Sequence, residues 1–149
     1  MIARRALLAL TALSFGVAGA PPPPPAVLTM TIIGGSDQNP DPSGRPAPVA
    51  VRLFELNGTA KFERADVFAL TEREQQTLGA DGQGSEEFIL RPGETRTITR
   101  ELKKGVQFIG IAVLFRDIDR SRWRVMAPVG VSGPTRLTLR VNGLGATLA

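Results

Sequence analysis

Residues 106–123 read VQFIGIAVLFRDIDRSRW, and the apolar run at their centre decides the fold. Phe108, Ile109, Ile111, Val113, Leu114 and Phe115 are too many to leave in water and too few to span a bilayer, and they are rich in β-branched and aromatic side chains. The run reads as a strand buried on both faces. Gly110 and Ala112 alternate with the large residues, so one face of that strand admits close approach while the other fills a core. Arg116, Asp117, Asp119 and Arg120 then surround Ile118 in a polar turn. Beyond it comes Trp123, the only tryptophan, read as a core or core-edge anchor.

Working outward, Leu28, Met30 and Ile32 alternate with Thr29 and Thr31, as in a strand with one buried face. Residues 49–56 repeat that pattern. Arg91-Pro92-Gly93-Glu94 has turn chemistry and predicts a hairpin between strands at 87–91 and 95–102. The second arm, half charged or hydroxylated, is expected at a sheet edge, where charge discourages pairing with other chains. Leu137, Leu139 and Val141 alternate before Asn142-Gly143, a strong hairpin dipeptide, and a last strand at 144–148. A helical insert is expected at about 62–79: a turn begun at Asp66 with Phe62, Val67, Phe68 and Leu70 inward, a capping box from Thr71 to Glu74, and a stop at Gly79. The chain is therefore mainly β, an antiparallel two-sheet sandwich over residues 27–149.

Composition narrows the function. The chain has 149 residues and no His or Cys, so imidazole and thiolate chemistry and nitrogen or sulfur metal sites are ruled out. No carboxylate pair marks a cleft, and an enzyme, a cofactor or a small-molecule substrate is not expected. Arg4 and Arg5 lie in a first segment without acids, leaving 16 basic against 14 acidic groups in the remainder. With that balance, scattered charge and no Tyr, nucleic-acid binding is not indicated.

Residues 1–20 have the parts of an export signal: Arg4 and Arg5, an apolar stretch from Ala6 to Val17, and Ala18-Gly19-Ala20, which fits an A-x-A cleavage site. Cleavage there would release a chain starting at Pro21. The pentaproline Pro21–Pro25, within a tether at 21–26, favours an extended spacer of about 15 Å.

Between the first two strands, Gly34–Pro48 (GGSDQNPDPSGRPAP) carries four prolines and three glycines in fifteen residues. It is a long surface loop, and loops of this length are commonly functional. Its proline content predicts stiffness, which lowers the entropy lost on binding. Asp37, Asn39 and Asp41 resemble the start of a calcium loop, but Pro42 and Pro48 stand where the turn glycine and the bidentate acid belong, so no metal is expected.

The order of these features resembles the TssJ family, the outer-membrane lipoproteins of type VI secretion systems. The resemblance is carried by N-P-x-x-x-G-R-P-x-P-V at 39–49, VRLFEL at 51–56, FERADVFAL at 62–70, LRPGE at 90–94 and FRDIDRSRWR at 115–124. It implies a transthyretin-like sandwich in the periplasm, at the inner face of the outer membrane, serving as a non-enzymatic anchor subunit. It also implies that the loop docks on the periplasmic C-terminal domain of TssM, with Asn39, Pro40, Asp41, Gly44, Arg45 and Pro46 as candidate contacts. Ala20 occupies the position of the family's lipidated cysteine, so no thioether lipid is expected there. The competing reading is a periplasmic small-ligand carrier on the same sandwich, with an apolar pocket between the sheets around Trp123.

Overall fold

A computed structural model describes residues 19–149, together with Thr11 and Gly16. Most of the export signal expected over 1–20 lies outside the described residues. Among the described residues there are eight strands: β1 (Ala26–Gly34), β2 (Val49–Leu56), β3 (Gly82–Leu90), β4 (Thr95–Glu101), β5 (Phe108–Val113), β6 (Arg124–Pro128), β7 (Gly133–Asn142) and β8 (Gly145–Leu148). Three short helices, α1 (Ala60–Arg64), α2 (Val67–Glu72) and α3 (Glu74–Leu78), lie between β2 and β3. The strands form two four-stranded sheets, ordered β4-β1-β7-β8 and β3-β2-β5-β6.

The sandwich core lies between the sheets. Leu28, Met30 and Ile32 of β1 meet Val51, Ile109, Ile111 and Val113 of the opposite sheet and Leu139 and Val141 beside them, all fully buried. Strand β5 is buried on both faces, as its sequence predicts. Its isoleucines and Val113 face this core, whereas Ala112 joins a second cluster of Phe54, Leu56, Phe62, Leu70 and Leu78 beneath the helices. Gly110 makes that second layer fit: a Cβ there would lie 2.8 Å from Phe62 Cζ and 2.9 Å from Leu56 Cδ1. Burying a large side chain such as Phe62 contributes roughly 1.5–3 kcal/mol, so this cluster holds the insert onto the sheet.

Three local expectations are corrected. The 87–91 and 95–102 segments do not form a hairpin, because β3 pairs with β2 and β4 with β1 in the other sheet. The Arg91–Glu94 turn crosses between the sheets, pinned to the end of β1 by Gly34 N–H to the Glu94 carbonyl (2.8 Å) and Gly93 N–H to the Gly34 carbonyl (3.0 Å). What decides the pairing is Ile98, which is buried in register with Met30 on β1. As expected, β4 is an edge strand. The second correction concerns Phe68, which is 63% exposed rather than inward, although Asp66 does cap α2 by accepting from Ala69 N–H (2.7 Å). Third, the capping box is not made. Thr71 lies inside α2 and donates to the Val67 carbonyl, while Glu74 is taken by the Arg52 guanidinium at 2.9 Å and by the Ser85 hydroxyl. A charge-assisted bond at a half-buried arginine outweighs a cap.

One pairing was not foreseen. Strands β1 and β7 run parallel, from Ala26 opposite Gly133 to Gly34 opposite Val141, whereas every other ladder is antiparallel. Trp123 is half-buried and packs against both clusters, with the Arg124 guanidinium 4.4 Å from its ring centroid. Arg124 also donates to the Phe62 and Ala65 carbonyls, tying the end of α1 to β6. Trp123 is thus the expected core-edge anchor.

Candidate functional site

The Gly34–Pro48 loop divides into a buried base and an exposed tip. Gln38 and Asn39 form the base, with 0% and 6% exposure. Gln38 Nε2 donates to the carbonyls of Leu90 (2.8 Å) and Ala47 (3.1 Å), joining the two limbs of the loop to the end of β3. Asn39 is a bolt across the same region. Its Nδ2 donates to the Pro48 carbonyl (2.9 Å), its Oδ1 accepts from Arg116 N–H (2.8 Å), and its own N–H reaches the Gly143 carbonyl (2.8 Å). It holds a left-handed backbone at φ 48°, a conformation that asparagine tolerates better than most residues.

The tip is organised by Asp41. Its Oδ1 accepts from Ser43 N–H (2.9 Å), Ser43 Oγ (2.8 Å) and Arg45 N–H (2.9 Å), and the Asp41 N–H closes the turn on the Arg45 carbonyl (2.8 Å). Gly44 supplies φ 82° and donates to the Asp41 carbonyl (2.9 Å). The backbone of a proline-rich loop is thereby satisfied without a sheet. Pro42, Ser43, Gly44, Arg45 and Pro46 are left exposed, with Pro40 and Asp41 half-buried beneath them. Among the described residues the Arg45 guanidinium has no hydrogen bond or ion pair.

Of the candidate contacts, the structure brings Pro40, Asp41, Gly44, Arg45 and Pro46 to one end of the sandwich and turns the Asn39 side chain inward. Beside the tip runs an open groove of about 560 Å³ between Pro40–Pro42 and Arg116, Asp117, Arg120 and Leu144. Arg116 is legible in the sequence as part of a polar turn, but not as a neighbour of the loop, and Gln38 carries little signal. Gln38 does stand out as neither a turn former nor a small residue in a loop made largely of both. The Asn39 side chain and the Asp41 Oδ1 are committed to protein groups.

The hydrogen bond from Arg45 N–H holds the Asp41 carboxyl below its ordinary value of 3.8, helped by the Ser43 hydroxyl and amide and by the charge of Arg116; partial burial opposes them. Because the folded value is depressed, this contribution to loop order is complete above 3.8 and is lost as pH falls through the lowered value. The amide resonances of Ser43 and Arg45 should therefore be flat near neutral pH and move together with a midpoint below 3.8, and Asp41→Asn should abolish the movement. Titration of those amides near neutral pH would contradict this.

Comparison with known proteins places this geometry. Residues 26–144 match the family of type VI secretion lipoproteins that includes VasD, EvfM and TssJ. The chain belongs to the TssJ family. The crystal structure of the type VI lipoprotein TssJ1 from Pseudomonas aeruginosa is 35% identical with a TM-score of 0.82, over 85% of this chain and 96% of that one. A chain of a type VI membrane complex structure is 27% identical with a TM-score of 0.74, over 83% of this chain and 97% of that one. A chain in a structure of the type VI protein TssM C-terminal domain from EAEC is 26% identical with a TM-score of 0.70, over 83% and 97% of the two chains. No curated protein matches significantly. TssJ family members are structural, non-enzymatic components of type VI secretion, and the fold is the family's sandwich with short helices.

Proposed function

We propose that this TssJ family member is an anchor subunit of the type VI secretion membrane complex, held in the periplasm at the inner face of the outer membrane. Its exposed loop tip, Pro42–Pro46 with Pro40 and Asp41 beneath, binds the periplasmic C-terminal domain of TssM. The observation that carries this reading is a long loop made stiff by its own hydrogen bonds that presents an unpaired arginine. Stiffness lowers the entropy of docking, and arginine is enriched at interface hot spots. The structural neighbours from a type VI membrane complex and from a TssM C-terminal domain structure support the choice of partner. At Ala20 there is no thiol to carry a thioether lipid. The export signal expected at 1–20 and the prolines at 21–25 precede the sandwich, whose first strand begins at Ala26.

Arg45→Ala tests this. Its side chain is exposed and makes no hydrogen bond or ion pair among the described residues, so the melting temperature should stay within the error of the wild type, while affinity for the TssM periplasmic domain falls about twentyfold or more. Unchanged affinity in calorimetry, with the melting temperature also unchanged, moves the interface off the tip.

A further inference from the structure

Phe68 and Ile89 are large apolar side chains left exposed. Ile89 is paired with Ala50 on β2, and the Ala50 carbonyl accepts from Leu114 N–H (2.8 Å). Residues opposite one another in an antiparallel ladder share a face, and Val51 and Val113, one step along, point into the sandwich. Ile89, Ala50 and Leu114 therefore form a row across the outer face of the sheet at its loop end. Phe68 and Ile118 continue it, lining with Leu114 an open groove of about 280 Å³ beside α2. A contiguous exposed apolar surface is a mark of an interaction site.

The surroundings select the occupant. Arg116 lines both this groove and the groove beside the loop tip, so the two surfaces are continuous. Arg45, Arg116 and Arg120 are exposed around them; of the acids, Asp41 is occupied by its own loop and Asp117 sits 3.9 Å from Arg120, which leaves Glu72 at the α2 edge of the groove and Asp119 against three arginines. Two copies meeting tip to tip would set the clusters of Arg45, Arg116 and Arg120 against each other. A bilayer is disfavoured by direction: the proline tether leaves the opposite end of β1, where Gly133 N–H donates to the Pro25 carbonyl (3.1 Å). We infer that the Phe68–Leu114–Ile118 groove, with Ile89 at its margin, is a second docking surface for the protein that binds the loop tip. It takes an apolar side chain of that partner, with an acidic residue beside it meeting Arg116. This rests on the loop reading above and extends it to a second patch.

The experiment compares Phe68→Ser, Ile89→Ser, Arg116→Glu and Arg45→Ala for binding the TssM periplasmic domain by calorimetry, with melting temperatures as controls. Phe68→Ser is expected to weaken binding about tenfold, and Arg116→Glu by at least as much, at wild-type melting temperature. Wild-type binding by Phe68→Ser and Ile89→Ser, while Arg45→Ala is weakened, overturns the second surface and leaves the loop reading standing. Loss in Phe68→Ser with none in Arg45→Ala supports the second surface and overturns the loop reading; no loss in any variant overturns both. Sedimentation of the chain alone, and co-sedimentation with phosphatidylglycerol vesicles, complete the test. A dimer or a vesicle complex that Phe68→Ser abolishes would assign the groove to a second copy or to lipid and overturn the inference.

Discussion

Phe62→Ala is expected to lower the unfolding free energy by about 3–5 kcal/mol, more than any other single truncation in the insert. The ring is fully buried, its centroid lies 5.3 Å from that of Phe54, and it fills the space left by Gly110. No polar group competes for that volume, so truncation leaves a cavity that short helices cannot close without losing Leu70 and Leu78 contacts as well. Gly110→Ala should cost about 1–3 kcal/mol by overpacking, because its Cβ would sit 2.8 Å from Phe62 Cζ. In the Phe62→Ala background the added methyl meets a cavity, so the double variant should be more stable than the sum of the two losses predicts. Denaturant unfolding of the four proteins measures the cycle. Additive losses would show that Gly110 and Phe62 do not share a packing constraint.

The second large effect is expected at Asn39. Asn39→Ala leaves the Pro48 carbonyl and the Arg116 amide without their side-chain partner, at about 1 kcal/mol each. It also places alanine at φ 48°, which costs about 1–2 kcal/mol more. The sum is about 3–4 kcal/mol. Asn39→Gly retains the backbone conformation and should recover about 1 kcal/mol of that loss. Both variants should weaken TssM binding although the Asn39 side chain faces the protein, because the tip loses the base that orients it. A variant that unfolds like the wild type would dismiss the bolt. One that unfolds early but binds normally would separate the base from the tip.

These two sites also show where sequence reasoning reaches and where it stops. Strand positions were readable because alternation is local: β1, β2, β7 and the doubly buried β5 each announce their faces within a few residues. The small face of β5 at Gly110 and Ala112 was readable for the same reason. Pairing is not local. Nothing in Arg91–Glu94 distinguishes a hairpin turn from a crossing between sheets, and the parallel partnership of β1 with β7 joins residues from opposite ends of the chain. Phe68 followed the helical pattern closely enough to be read as buried, yet α2 is a single short helix whose one sheltered position is taken by Leu70. Asn39 was legible as a turn residue and a candidate contact. That its side chain faces inward depends on the Arg116 amide, far away in sequence and brought near by the β5–β6 connection.

The parallel pairing places β1 between β4 and β7, with the proline tether entering at one end of it and the Gly34–Pro48 loop leaving at the other. Nine residues of extended chain, about 30 Å, thus join the tether to the loop. Tension applied between them runs along β1 itself. Both its neighbours resist by shear, with the ladder bonds from Val27–Glu101 to Ile33–Thr95 on one side and from Ala26–Gly133 to Gly34–Val141 on the other loaded together rather than opened singly. A secretion machine pulling on the loop would strain its mounting along the direction in which a sheet is hardest to tear.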